Sequence, residues 1–178
     1  MTHERPILFN SQMVQAVLAG TKTQTRRVVK PQPEIYESRH GATSLRWRGG
    51  VLDTPLNIAP YQLRQLCPHG AIGDRLWVRE TWASDDSTTA YYRADGETYN
   101  AGLPWRPSIF MPRWASRLTL EITDVRVERV QDISRKDAKD EGVLLNFHLL
   151  WDAINAERGY SWDSNPWVWA ISFQRVQQ

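Results

Sequence analysis

Apolar residues along this chain recur with two different periods, and the switches between them outline its elements. Pro6, Ile7, Leu8 and Phe9 form a short continuous apolar run that reads as a strand. Met13, Val14, Val17 and Leu18 then follow a helical spacing, so a helix is expected over 12–19 with Asn10 or Ser11 as its cap. Gly20 closes it in the left-handed conformation that ends many helices. The clearest strand spans 117–130: Leu118, Leu120 and Ile122 alternate, a bend is expected at Asp124, and Val125 and Val127 continue the buried side. Its outer side carries Arg117, Thr119, Glu121 and Thr123.

Other segments follow the same logic. After Gly73-Asp74, residues 75–82 read as a strand with Leu76, Val78 and Glu80 on one side and Trp77, Arg79 and Thr81 on the other. Asp95-Gly96, between 89–93 and 97–99, is a hairpin signal. Ser134 with Asp137 three residues on forms a capping box for a short helix ended by Gly142. Phe147, Leu150, Trp151 and Ile154 mark a second amphipathic helix stopping near Gly159. The chain then finishes in an aromatic strand over 167–173.

Two stretches lack a period. Residues 31–70 are rich in Gly, Pro and Arg and read as a long excursion rather than core, either beside the site or a surface insertion. Residues 103–113, with Trp105, Phe110 and Met111, read as a satellite hydrophobic cluster, with a ligand-covering loop as the other possibility. Strands outnumber helices and are broken by turns, which argues against a doubly wound sheet. The expected fold is α+β, a small mixed barrel with flanking helices, in one domain over 1–178 with insertions at about 31–70 and 83–113.

Composition narrows the chemistry. A net charge of +2 with 24% charged residues leaves no charge block of the kind that binds duplex DNA non-specifically. The single cysteine, Cys67, excludes an intrachain disulfide, and Cys67 with His69 supplies too few ligands for zinc. No metal and no cofactor are expected. No apolar run reaches signal-peptide or membrane-spanning length, so a soluble, cytoplasmic and monomeric protein is expected. Nine tryptophans either fill the core or stack on a planar ligand; Trp77, Trp82, Trp167 and Trp169 fit the core better.

The densest chemistry lies in residues 20–29, Gly-Thr-Lys-Thr-Gln-Thr-Arg-Arg-Val-Val. In an extended chain Lys22, Gln24 and Arg26 point one way and Thr21, Thr23, Thr25 and Arg27 the other, unless a bulge re-aims one of them. This equally fits an edge strand whose polar side chains are solvated. Walker A, dinucleotide and nucleophile-elbow patterns are absent.

Taken in order, Ile-Leu-Phe, Ala-Gly-Thr-Lys-Thr-Gln-Thr-Arg-Arg, Gly-Asp-Arg-Leu-Trp-Val, Ile-Ser-Arg-Lys-Asp-Ala-Lys-Asp-Glu-Gly and the closing Trp-Val-Trp-Ala-Ile-Ser-Phe resemble the ASCH domain family, in an extended form like those common in phages and prophages. The resemblance implies a PUA-like β-barrel related to RNA-binding domains. Its enzymatic branch, bacterial N4-acetylcytidine amidohydrolase, implies a catalytic Lys22, Thr25 and Glu141. Thr23, Arg26, Arg27, Trp77, Arg79 and Glu80 are the candidate substrate-binding residues. A threonine hydroxyl becomes a nucleophile only when a base takes its proton, and a lysine serves as that base when burial or a neighbouring cation, here Arg26 or Arg27, lowers its pKa. Glu141 would then protonate the leaving amine or position water for deacylation. The expected partner is a nucleoside or modified base, with RNA as the alternative. Two other readings stay open: an RNA or modified-base binder in which Lys22, Arg26 and Arg27 clamp phosphate, and a ribonuclease. Glu141, one residue before a helix-ending glycine, sits where a carboxylate is electrostatically unfavourable, which favours a functional role.

Overall fold

The structure, a computed structural model, describes residues 2–37, 43–48, 56–58, 60–85, 89–96, 102–143 and 145–176; for residues 36, 37, 43, 44, 56–58, 60 and 61 it describes the backbone alone. The strands are β1 Glu4–Leu8, β2 Gln24–Val28, β3 Glu34–Glu37, β4 Thr43–Trp47, β5 Leu56–Ile58, β6 Arg75–Arg79, β7 Trp82–Ser84, β8 Ala90–Tyr92, β9 Thr119–Arg129 and β10 Trp167–Arg175. The α-helices are α1 Ser11–Leu18, α2 Pro60–Leu63, α3 Arg135–Asp140 and α4 Phe147–Asn155.

Five strands form the central sheet in the order β1-β6-β9-β10-β2, with β1 and β6 parallel and every other pair antiparallel. The fold is thus mixed α+β with a mostly antiparallel sheet. The expected barrel closure is not seen. Among the described residues no ladder joins β2 back to β1; the two edges meet instead through Arg27, whose Nη2 donates to Leu8 O at 2.7 Å. The expected bend near Asp124 is a bulge: Ser172 pairs with Asp124 and Phe173 with Ile122, so Thr123 is the extra residue. That extra residue lets Ile122 and Val125 both be buried.

The segment 31–70 departs from expectation. It holds a second antiparallel sheet, β3-β4-β5, and sends Leu45, Trp47, Leu63 and Cys67 into the main core, where Trp47 meets Trp169 edge-on at 6.2 Å. These four residues are core, whereas Ile35 and Leu66 are exposed. Strands of three to five residues are too short for their alternation to stand out. At the expected Asp95-Gly96 hairpin, the first arm, β8, pairs with β7 upstream, and residues 93–95 turn as a 3₁₀ helix. Its proposed second arm, 97–99, lies outside the described residues. Met111 and Ala115 do form a satellite cluster with Trp82, while Phe110 is exposed. No helix among the described residues is long and apolar enough to cross a membrane.

Candidate active site

Two helix ends built by glycine bring the candidate residues together. Gly20, with φ +72°, ends α1, and the amides of Thr21 and Lys22 both return to Ala16 O at 2.9 and 3.1 Å. Opposite, Ser134 and Asp137 form the capping box that starts α3, and Gly142, with φ +82°, stops it immediately after Glu141. A Cβ at position 142 would lie 3.2 Å from Ala16 Cβ and 3.4 Å from Lys22 Cβ, so a glycine allows the two turns to touch. They join by a bridge between Lys22 and Glu141 and by Thr23 N donating to Asp140 O at 2.7 Å.

The result is a buried ion pair. Lys22 Nζ donates to Glu141 Oε2 at 2.7 Å, to Glu141 O at 3.0 Å and to Gln24 O at 2.8 Å, which uses all three ammonium protons. The residues are 2% and 6% exposed. Arg26 holds the other carboxylate oxygen, Nη1 to Glu141 Oε1 at 3.2 Å, and also reaches Gln24 Oε1 at 2.6 Å and Glu128 Oε1 at 2.5 Å. Gln24 passes the network on to Asp137 and Ser172, both at 3.1 Å. Burial lowers the Lys22 pKa against the raising effect of Glu141, and Arg27 and Arg26 lower it further. Lys22 does not stay on the Gln24 and Arg26 side as strict alternation required. Its Nζ turns onto the strand edge at Gln24 O and lies 5.6 Å from the Phe9 ring, which Arg27 also covers at 5.6 Å.

Beside this pair opens a pocket of about 310 Å³, lined by Thr25, Arg26, Arg27 and Glu141 from the predicted set, and by aromatic and cationic groups that include Phe147, Trp151, Tyr160, Lys30 and Arg158. Lys22, bonded to Glu141, does not itself line it. Arg27 has no salt-bridge partner among the described residues, and its Nε makes no hydrogen bond. His69 also lines the pocket; burial, with Arg27 and Arg5 nearby, lowers its pKa to about 4, so near neutrality it presents a neutral imidazole.

The remaining candidates are elsewhere. Thr23 is exposed outside the pocket, its backbone tied to Asp140 and Phe173. Trp77 and Arg79 stack on each other at 4.6 Å, and Arg79 Nη1 donates to Ile109 O. Glu80 is gripped at both oxygens by Arg117, at 2.9 and 3.0 Å. None of these three lines the pocket. Sequence reasoning missed Phe147, Trp151 and His69 as pocket residues. The first two carried a helical period that reads as core, and half of each helix face is indeed core; a histidine after Cys-Pro carried no positional signal.

An α+β protein with a buried lysine–glutamate ion pair at the wall of a partly aromatic pocket is the class these features define. No protein-family model matches the sequence, and no curated protein matches it. Among solved structures, the crystal structure of protein EF3133 from Enterococcus faecalis V583, described as family-model DUF984, is similar over 99% of this chain and 82% of that one, with 12% identity and a TM-score of 0.49.

Proposed function

We propose that this chain is an ASCH-type, PUA-like protein and a metal-independent amidohydrolase that acts on an N4-acylated cytidine-type nucleoside or base. The observation that carries the reading is the buried Lys22, its pKa lowered by burial and by Arg27 and Arg26, paired to a glutamate that lines the same pocket as Thr25. A lysine that only clamped phosphate would sit in an open basic groove, and this one is enclosed.

Proton transfer within the pair converts ammonium and carboxylate into a neutral amine and a carboxylic acid, so one contact supplies both a base and an acid. Lys22 takes the Thr25 hydroxyl proton as its oxygen attacks the amide carbon. Glu141 gives its proton to the exocyclic nitrogen as the carbon–nitrogen bond breaks, releasing cytidine and leaving an acyl ester on Thr25. Water then cleaves the ester to free the carboxylic acid and restore the hydroxyl. Arg27, without a carboxylate partner, is the group available to the developing oxyanion.

The test is incubation of the purified protein with N4-acetylcytidine, without added metal, and chromatography of the products. Cytidine and acetate are expected from the native protein, and neither from Lys22→Ala or Glu141→Gln, with circular dichroism showing that the variants are folded. Full turnover by both variants would falsify the assignment. No conversion by the native protein at high concentration would leave a binder of RNA or a modified base.

A further inference from the structure

The pocket stands at the open edge of the central sheet, and the phase of the last ladder decides what that edge offers. Phe173 N donates to Thr23 O at 2.8 Å, and Val29 N to Trp167 O at 3.0 Å. Odd-numbered residues of this stretch therefore turn their main chain toward β10. Val130 N donating to Pro166 O at 3.0 Å fits the same alternation from the other side, with even residues of β10 bonded to β9. The N–H and C=O of Gln24, Arg26 and Val28 consequently point away from the sheet, where the strand order ends. Gln24 O is taken by Lys22. Outside the ladder, no hydrogen bond reaches the main chain of Arg26 or Val28 among the described residues.

Exposure agrees with this geometry. The Arg26 side chain is 1% exposed, its two terminal nitrogens held by Glu141, Glu128 and Gln24 Oε1 and its Nε without a hydrogen bond, yet the residue is 6% exposed and lines the pocket. What Arg26 shows to the pocket is its backbone. An N–H and C=O left open at a pocket wall in this way need water or a ligand to satisfy them.

The walls define the shape of that occupant. Val28 shares its side of the sheet with Val168, Phe147 and Trp151, whereas Thr25 and Arg27 lie on the side of Ile171 and Trp169. Residues from both sides line one pocket, which therefore straddles the strand edge. A flat ring continuing the plane of the sheet would meet the Arg26 backbone in plane and aromatic side chains above and below.

The geometry points to the exposed edge of β2, the main-chain N–H and C=O of Arg26, as the element that reads a pyrimidine base through a ring-nitrogen acceptor and a neighbouring N–H donor. A narrow antiparallel pair exchanges two bonds through one residue's N–H and C=O, and cytosine carries the complement at N3 and N4. Acylation at N4 leaves N3 and one N4 hydrogen in place, so substrate and product share this edge. The choice of a cytosine ring rests on the amidohydrolase reading; the open backbone edge does not.

The experiment measures binding of cytidine and of 3-deazacytidine, which replaces the N3 acceptor with C–H, together with NMR-detected hydrogen exchange at each backbone amide. Cytidine is expected to slow exchange at the Arg26 amide, and 3-deazacytidine to bind about tenfold weaker or worse because it leaves that N–H unpaired. Equal binding of the two, unchanged Arg26 exchange under saturating cytidine, or no cytidine binding would each overturn the inference. Turnover separates the two readings. Hydrolysis of N4-acetylcytidine without Arg26 protection keeps the hydrolase and removes the edge, and protection without hydrolysis does the reverse.

Discussion

Two buried glutamates, each held by cations, look alike in the sequence and differ in what surrounds them. Glu80 is 1% exposed, gripped at both oxygens by Arg117, which in turn pairs with Asp95 and covers the Tyr92 ring at 3.9 Å. That network is closed, and no pocket residue belongs to it. Glu141 is equally paired, by Lys22 and Arg26, but it forms part of a pocket wall with Thr25 and lies beside an unpaired strand edge. A buried ion pair by itself is therefore weak grounds for a site. Access, a lysine whose proton is loosened by burial, and open polar groups make the difference.

Substituting each glutamate in turn sharpens the contrast. Glu141→Gln is expected to lower kcat on N4-acetylcytidine by about 10²–10⁴-fold, the range for loss of a general acid. Glu80→Ala, which leaves Arg117 facing an empty, half-buried space, is expected to cost about 3–5 kcal/mol in urea unfolding while kcat per folded molecule stays the same. A loss of kcat at Glu80 matching that at Glu141 would erase the distinction between the two regions.

A smaller effect separates them by pH. An unfolded histidine titrates near 6.5, whereas burial and the nearby arginines hold folded His69 at about 4. Between these values the unfolded chain carries a proton that the folded one lacks. The pocket side should thus lose stability as pH falls from 6.5 to 4, with the full contribution present above 6.5. His69→Gln is expected to flatten that slope in denaturant melts at several pH values. An unchanged slope would mean that His69 does not titrate as its burial requires.

Local signals in the sequence read well where one short segment contains both the cause and the effect. Asn10 caps α1 by accepting from Met13 N, Ser134 and Asp137 cap each other, and Gly20, Gly142 and Gly159 each stop a helix in a positive-φ conformation. Asp95-Gly96 gave no sign that β8 pairs with β7, upstream, because a turn dipeptide says nothing of a strand's other neighbour. Residues 31–70 failed because core membership of Leu45 and Trp47 depends on the distant Trp169. Trp77, Arg79 and Glu80 carried a two-sided pattern, but alternation tells only that two sides exist, not which one faces the pocket.

The sequence by itself determined α1, α3 and α4, the caps of α1 and α3, and the two long strands β9 and β10, and its resemblance to the ASCH family nominated Lys22, Thr25 and Glu141. Each follows from chemistry within a few residues or from a recurrent motif. Only the tertiary structure decided that 119 positions of separation close to a 2.7 Å contact, that Lys22 turns onto the strand edge, and that β2 is left open beside an aromatic wall. Those outcomes depend on which strand is last in the sheet and on how closely two glycine-ended helices approach, and both are set by packing between residues far apart in the chain.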